Sequence, residues 1–461
     1  GAYGGTQQAS KSHSTLSLFL SSPNGGEIIK NSTYIYWTTV GPGWNAGDTL
    51  KIEYSPDAGS SWFDISGAEN LDYDPGMFLW DVSALQAGTE YQVRVTCNQD
   101  VSITDISDLP FTIQNQPHYF VNDEFTTNDV YCNAAGNDAN DGLSPLTPKA
   151  SVQAILDSYD LEPGDNVFID TGVYEPSSNI MITSSDQGSA SNKVKFVGST
   201  IPGGTKISRG NAVDSYGFFL DHAEYISLEN LYISDARDGV YLFVSDDTEI
   251  SNCRFFSNSN NGVRVRSSDR VLIDHCIADS NGDYGVSAYY SDDLEIENCT
   301  LALNGTSQLY KNTTSYDYVY VRNNIIWGDG ASISCFSGHV DRIYPEYNCV
   351  YASNGATPGD SGGNEINEDP LFVDPDGADD ILGTEDDDYH LPSVTGSWHG
   401  GTWTPDANHS PCIDAAAANI DYSEEPEPNG ARVNLGAFGG TEQASLSDEL
   451  LTLISPLGGE T

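Results

Sequence analysis

Gly239-Val-Tyr-Leu-Phe243, Gly262-Val-Arg-Val-Arg266 and Gly285-Val-Ser-Ala-Tyr289 are three versions of one phrase. Each is followed by a Ser-Asp pair (Ser245-Asp246, Ser268-Asp269, Ser291-Asp292) and then by a cysteine: Cys253, Cys276 or Cys299. Every one of these landmarks returns after 23 residues. A period of that size marks a unit that cannot bury an apolar face alone and must stack on its neighbours. Inside the unit are short β-branched runs punctuated by Gly, Asn and Asp, with no helical period. The stretch Tyr225–Leu301 therefore predicts a parallel β-helix, one coil per repeat.

Coils stacked ~4.8 Å apart would place equivalent residues in columns. Val240, Val263 and Val286 are expected to form one interior column, and Cys253, Cys276 and Cys299 another. Asn230, Asn252, His275, Asn298, Asn323 and Asn348, at steps of 22, 23, 23, 25 and 25, read as a ladder of stacked amides at a bend. The pattern resembles the right-handed parallel β-helix of the pectate-lyase-like superfamily, from about Tyr119 to Gly440. Such a repeat is specific for fold and weak for activity. Pro163-Gly-Asp-Asn-Val-Phe-Ile-Asp170 and Gly172-Val-Tyr174 resemble the first-coil strands of those proteins. Thr147–Leu156 reads as a short amphipathic helix, with Ala150, Val152, Ile155 and Leu156 covering the open end of the coil.

The N-terminal quarter has a different texture. Alternating runs at Tyr34–Thr39, Leu50–Tyr54, Met77–Val82 and Tyr91–Thr96 predict a small all-β sandwich, with Trp37, Trp62 and Trp80 as core aromatics. The string Pro23-Asn-Gly-Gly-Glu27, Ile35-x-Trp37, Asp57-x-Gly59, Trp62 and Trp80 resembles an Ig-like module of bacterial surface proteins. That resemblance implies a spacer, with carbohydrate binding as the other role. The expected class is all-β: an Ig-like β-sandwich over 16–116, then a right-handed parallel β-helix over 117–440, joined at Ile113–Glu124.

The two ends are nearly the same sequence. Gly1-Ala-Tyr-Gly-Gly-Thr-Gln-Gln-Ala-Ser10 returns as Gly436-Ala-Phe-Gly-Gly-Thr-Glu-Gln-Ala-Ser445, and Ser22-Pro-Asn-Gly-Gly-Glu27 as Ser455-Pro-Leu-Gly-Gly-Glu460. The offsets are 435 and 433 residues. Two motifs in the same order at nearly one offset read as one period of a tandem array. In that reading 1–15 ends a preceding repeat and 441–461 begins the next. The alternative is a terminal motif flanking one module.

Charge narrows the function. Of 461 residues, 18 are Lys or Arg and 68 are Asp or Glu, a formal net charge of −50. Such a surface repels nucleic acid and anionic membranes and attracts divalent cations. No apolar run is long enough to span a bilayer. The eight cysteines include no CxxC pair, and the three in the coil column are expected as packed free thiols.

Asp374, Asp376, Asp379, Asp386 and Asp388, with Gly377 and Gly383 for tight curvature, are the candidate ligands for Ca²⁺. Asn137-Asp138-x-Asn140-Asp141 is a weaker candidate. If Val263 and Val265 face inward, Arg264 and Arg266 face outward with Tyr241, Phe243 and Tyr289. Rings and guanidinium donors on a flat sheet would suit a saccharide. Asp246, Asp269 and Asp292, near Arg270 and Asp274-His275, offer carboxylates for catalysis but equally suit Asx turns. No family catalytic motif matches.

The leading expectation is a structural repeat unit of an extracellular or cell-surface fibre, its partners neighbouring copies of itself, with Ca²⁺ stiffening. The alternatives are a polysaccharide lyase or glycoside hydrolase, and a carbohydrate-binding adhesin.

Overall fold

A computed structural model describes residues 16–447, except 31, 46, 75, 83–84, 86–87, 114–117, 211–212, 313–317, 329–333 and 353–363. Both terminal motif copies expected from an array, Gly1–Ser10 and Ser455–Glu460, lie outside the described residues. The chain divides into two units, Gly1–Pro117 and His118–Thr461.

The first unit is built of antiparallel sheets, apart from one parallel pairing of Ile28–Ile29 with Phe111–Ile113. One runs in the order Ser17–Ser22, Ser32–Val40, Met77–Asp81. The other centres on Thr49–Ser55 and Gly88–Cys97, flanked by Phe111–Ile113 and short edge strands. Alternation puts Ile35, Trp37 and Trp80 from one sheet, and Leu50, Ile52, Val93 and Val95 from the other, into a single core. Trp62 departs from the expected core set. It is half-buried at the surface, with the Arg94 guanidinium 4.3 Å above its ring.

The second unit is a stack of coils wrapped by three parallel sheets. The first has nine strands, from His118–Val121 to Ile343–Glu346. The second has eight, from Gly172–Tyr174 to Cys349–Ala352. The third has seven, from Ile180–Thr183 to Ser334–Gly338. Coils thus begin at His118, well before the repeat becomes legible. One full turn is Ile226–Glu229, Tyr232–Ser234 and Asp238–Phe243.

The expected register holds. Val240 pairs with Val263 and Val263 with Val286, all fully buried. The glycine opening each phrase has a steric reason: a Cβ on Gly239 would stand 2.7 Å from the Gly262 carbonyl, and one on Gly262 as close to that of Gly285.

The chain turns between strands on left-handed residues. Asn230, Asn252, His275, Asn298, Asn323 and Tyr347 all have φ between 49° and 59°. Asn tolerates that conformation better than most residues, which is why it recurs there. The expected amide ladder therefore needs correcting. These asparagines make the bend by backbone conformation, and the sixth member of the column is Tyr347 rather than Asn348.

Two true ladders lie elsewhere. Asn258 Nδ2 donates to Asn281 Oδ1 at 2.9 Å, Asn281 Nδ2 to Asn304 Oδ1 at 2.8 Å, and Asn304 Nδ2 to Gln308 Oε1 at 2.7 Å, all buried. The thiol column continues into the second. The Cys299 amide donates to Asn324 Oδ1 at 2.7 Å, and Asn324 Nδ2 to Asn348 Oδ1 at 3.0 Å. All eight cysteines are free and buried, as expected for the three on the column.

The helix at the open end is shorter than the pattern predicts, Val152–Leu156, because the Ser151 side chain caps it by accepting from the Ala154 amide. Val152 and Ile155 enter the coil core. The bare edge of the first strand is covered by chain rather than helix. Phe120 donates to Gly142 and accepts from Lys149, at 2.8 and 2.9 Å.

Candidate functional site

The outer face of the third sheet assembles every residue expected there. Tyr241, Arg264 and Ser287 share one row, and Phe243, Arg266 and Tyr289 the next. The Arg264 guanidinium lies 4.8 Å from the Tyr241 ring and 5.2 Å from that of Tyr289, and Arg266 lies 5.6 Å from Phe243. Four rings not anticipated extend the face. Phe219 stacks on Tyr241 at 5.1 Å and 8°, with Tyr216 beside them, and Tyr284 stacks on Tyr310 at 4.6 Å and 12°. Their signal was present, since Phe219 precedes Tyr241 by 22 residues and Tyr310 follows Ser287 by 23.

Accessibility differs along the face. Tyr241 is buried, Phe243 and Tyr289 are half-buried and Arg266 is exposed. Beneath Arg264, 3.7 Å from its Nη1, sits the buried Asp238. Burial raises the Asp238 carboxyl, against hydrogen bonds from Asn261 and the charge of Arg264.

The stacked aspartates serve the turns. Asp246 Oδ1 accepts from the Asp269 amide at 2.9 Å, Asp269 Oδ1 from the Asp292 amide at 2.8 Å, and Asp292 Oδ1 from the Tyr318 amide at 2.8 Å. Asp274 accepts from Asn298 at 2.9 Å and lies 2.8 Å from His275 Nδ1. His275 Nε2 is 3.0 Å from the Gly439 carbonyl, so the ring ties the bend to the C-terminal segment.

The acidic segment binds itself. Asp374 and Asp388 pair through their backbones. Asp386 accepts from Thr384 Oγ1 at 2.7 Å and from the Asp379 amide at 3.1 Å; Asp379 accepts from the Ile381 amide at 2.9 Å. Burial works to raise the Asp388 carboxyl, but hydrogen bonds and charge from His390 outweigh it and lower it. Burial and the neighbouring Asp376 raise Asp374. Among the described residues no three His, Cys, Asp or Glu side chains converge on a metal position. At the weaker candidate a lysine supplies the cation: the buried Lys149 ammonium donates to the Asp138 and Asn140 carbonyls at 2.9 and 2.7 Å.

What the acidic segment does is dock. On the outer face of the second sheet, buried Arg254 makes paired bonds to Asp279 at 2.9 and 3.0 Å. It also reaches Asp387 at 3.3 Å and the Thr384 carbonyl at 2.8 Å. Burial opposes the Arg254 charge, and Asp279 more than offsets it. Ser257 Oγ donates to the Gly383 carbonyl at 2.7 Å, and Lys206 pairs with Glu385. Contacts over more than a hundred residues are invisible to a local reading. The clue was a row that holds two cations, Lys206 and Arg254, among Val173, Tyr232, Ile277, Thr300, Ile325 and Cys349.

The docked segment and the residues after it wall a groove of about 510 Å³ against that sheet, lined in part by Tyr232, Arg254, Trp398 and Phe438. Its other wall, Gly436–Ser445, seats on the coils. Gly436 donates to the Asn323 carbonyl at 3.0 Å, Ala437 to Thr300 Oγ1 at 3.2 Å, and Phe438 stacks on His390 at 3.6 Å.

No curated protein matches the chain. Among solved structures it is similar to pectate lyase Pel9A, at 15% identity and a TM-score of 0.33, covering 70% of this chain and 97% of that one. It is also similar to an alginate lyase from Paenibacillus sp. str. FPU-7, at 14% identity, a TM-score of 0.31 and coverage of 44% and 85%. A third is the tailspike protein gp49 from Pseudomonas phage LKA1, at 14% identity, a TM-score of 0.23 and coverage of 73% and 47%. The coils form a right-handed parallel β-helix, and residues 216–369 match the family model for a right handed beta helix region.

Proposed function

We propose that this chain is a structural repeat unit of an extracellular or cell-surface fibre, joined head to tail to copies of itself. The observation that supports the reading is the seating of Gly436–Ser445. This motif closes the flank of the β-helix through Asn323, Thr300, His275 and His390. Eight of its ten residues recur in order at Gly1–Ser10. On this reading the N-terminal copy is the flank closure of a preceding unit. The β-helix, with 21 parallel strand pairings among the described residues, suits a rigid rod. Two units fused through one shared motif, residues 1–445 continued directly by 11–461, test this. Protease resistance at the shared motif is expected; cleavage there as fast as at the N-terminal Gly1–Ser10 would refute it.

Calcium enters this proposal as a ligand of Asp374, Asp376, Asp379, Asp386 and Asp388 that stiffens the acidic segment. Chelator should then lower the melting temperature; an unchanged value removes the metal from the account.

A second reading, carbohydrate adhesion, is favoured by the ring and guanidinium rows of the third sheet. Neutral glycans should protect Phe243 and Tyr289, the half-buried members, from tyrosine- and ring-directed labelling. No protection would set this reading aside.

A further inference from the structure

The first unit leaves one side of a sheet open among the described residues. Strands Ser17–Ser22, Ser32–Val40 and Met77–Asp81 bury Leu20, Ile35, Trp37 and Trp80 on their inner side, so alternation sends the intervening residues outward. Six of those are large and apolar: Phe19, Tyr34, Tyr36, Val40, Met77 and Leu79, each 43–53% exposed. Register makes them one patch rather than six scattered residues. Tyr34 lies opposite Leu79, Tyr36 opposite Met77, and Phe19 opposite Thr38, between the rows of Tyr36 and Val40. The Tyr34 and Tyr36 rings stack at 5.8 Å.

Single apolar residues on a surface are ordinary, but a contiguous patch of this kind marks a contact. Together the six expose on the order of 600 Å², the top of the range for a monomer. A contact between two such faces would bury about 1,200 Å², the lower bound of a standard specific interface.

Charge says what covers it. The chain carries 68 acidic and 18 basic residues, so two copies repel over most of their surface. Among the described residues of this face, the charged outward side chain is Asp81, at one end and opposite Ser32. A second copy therefore meets least repulsion here, and burial of the rings and aliphatic chains favours the contact. A saccharide fits less well, because the face holds no side-chain amide or guanidinium to fix its hydroxyls. Residues 1–15, which precede the first strand and lie outside the described residues, include no Leu, Ile, Val, Met, Phe or Trp to cover it.

We propose that this face is a self-association surface, on which two copies of the chain pack sheet on sheet about a two-fold axis. The proposal does not rest on the array reading, since a single unit carries the whole face. In an array it would hold chains side by side.

Sedimentation equilibrium of the whole chain, over micromolar to submillimolar concentrations and at low and high salt, tests it. Twice the chain mass should appear as concentration rises. The dimer should strengthen severalfold at high salt, because screening weakens the repulsion of two acidic chains and leaves the apolar contact intact. Leu79→Glu and Phe19→Glu, both on exposed side chains, should each weaken it at least tenfold with the melting temperature unchanged. Val101→Glu, at a residue 75% exposed and outside this sheet, should leave it within twofold. A monomer under every condition overturns the proposal and leaves the face to a partner of other chemistry. A dimer that survives both of the first two variants, or that Val101→Glu abolishes equally, also overturns it. So does association that appears only after removal of residues 1–15, which would make that segment the occupant.

Discussion

Replacing Arg254 by Met tests how the acidic segment is held. The guanidinium is the hub of a cluster with almost no solvent contact: Arg254 is 3% exposed and Asp279 fully buried. Met fills much of the same volume but supplies no donor, so Asp279 and Asp387 would keep buried charges without a counter-ion. Breaking such a pair by removing one partner costs roughly 3–5 kcal/mol. Unfolding entropy scales with length, so His118–Thr461 should change by about 0.7 kcal/mol per kelvin near its midpoint. The loss then corresponds to a fall of roughly 4–7 °C. Calorimetry measures the fall, and limited proteolysis reports release of residues 374–389. Adding Asp279→Leu should restore part of the loss, because the stranded carboxylate goes with it. A change below about 1 kcal/mol, with proteolysis unaltered, would refute the reasoning.

Three further outcomes are expected. Burial pushes Glu425 up to about 7, with Oε1 accepting the Asn434 and Gly440 amides at 2.8 Å. The folded chain then holds a proton that the unfolded chain releases near 4.5, so stability falls as pH rises from there to about 7. His275 acts in the same direction: burial lowers it, but Asp274 and the Gly439 carbonyl prevail and raise it. Its contribution is complete below the unfolded value and lost above the folded one. The melting temperature should be higher at pH 5 than at pH 7.5, and a rising profile would contradict this. Asn281→Ala, which strands Asn258, Asn304 and the Phe255 carbonyl, should cost about 3 kcal/mol in denaturant melts. Asn252→Ala, at a bend, should cost about 1 kcal/mol. Equal losses would mean the ladder lies elsewhere. The eight buried thiols should ignore a thiol reagent until the chain unfolds, and rapid modification of Cys276 would contradict the packed column.

The coil was legible because its period is local and repeated, so the even spacing of Val240, Val263 and Val286 is enough to mark a column. The rows of Tyr241 and Phe243 followed from strand alternation alone. The slip at Asn348 arose because an asparagine suits both a left-handed bend and a stacked amide, and composition does not separate the two uses. Hydrophobicity alone puts Trp62 in the core, whereas the half-buried Arg94 stem and guanidinium cover its indole at the surface. In the acidic segment, carboxylates spaced for a cation are also spaced for turns, and they hydrogen-bond Thr384, Ile381 and His390. Arg254 was missed because its partners lie at Thr384–Asp387, and nothing in a window of sequence brings them together.

The proposed building-block role is tested most directly by electron microscopy of proteins carrying one, two and three joined copies. Straight particles that lengthen by the same increment with each copy are predicted. Compact beads on joints of variable angle and spacing would contradict it.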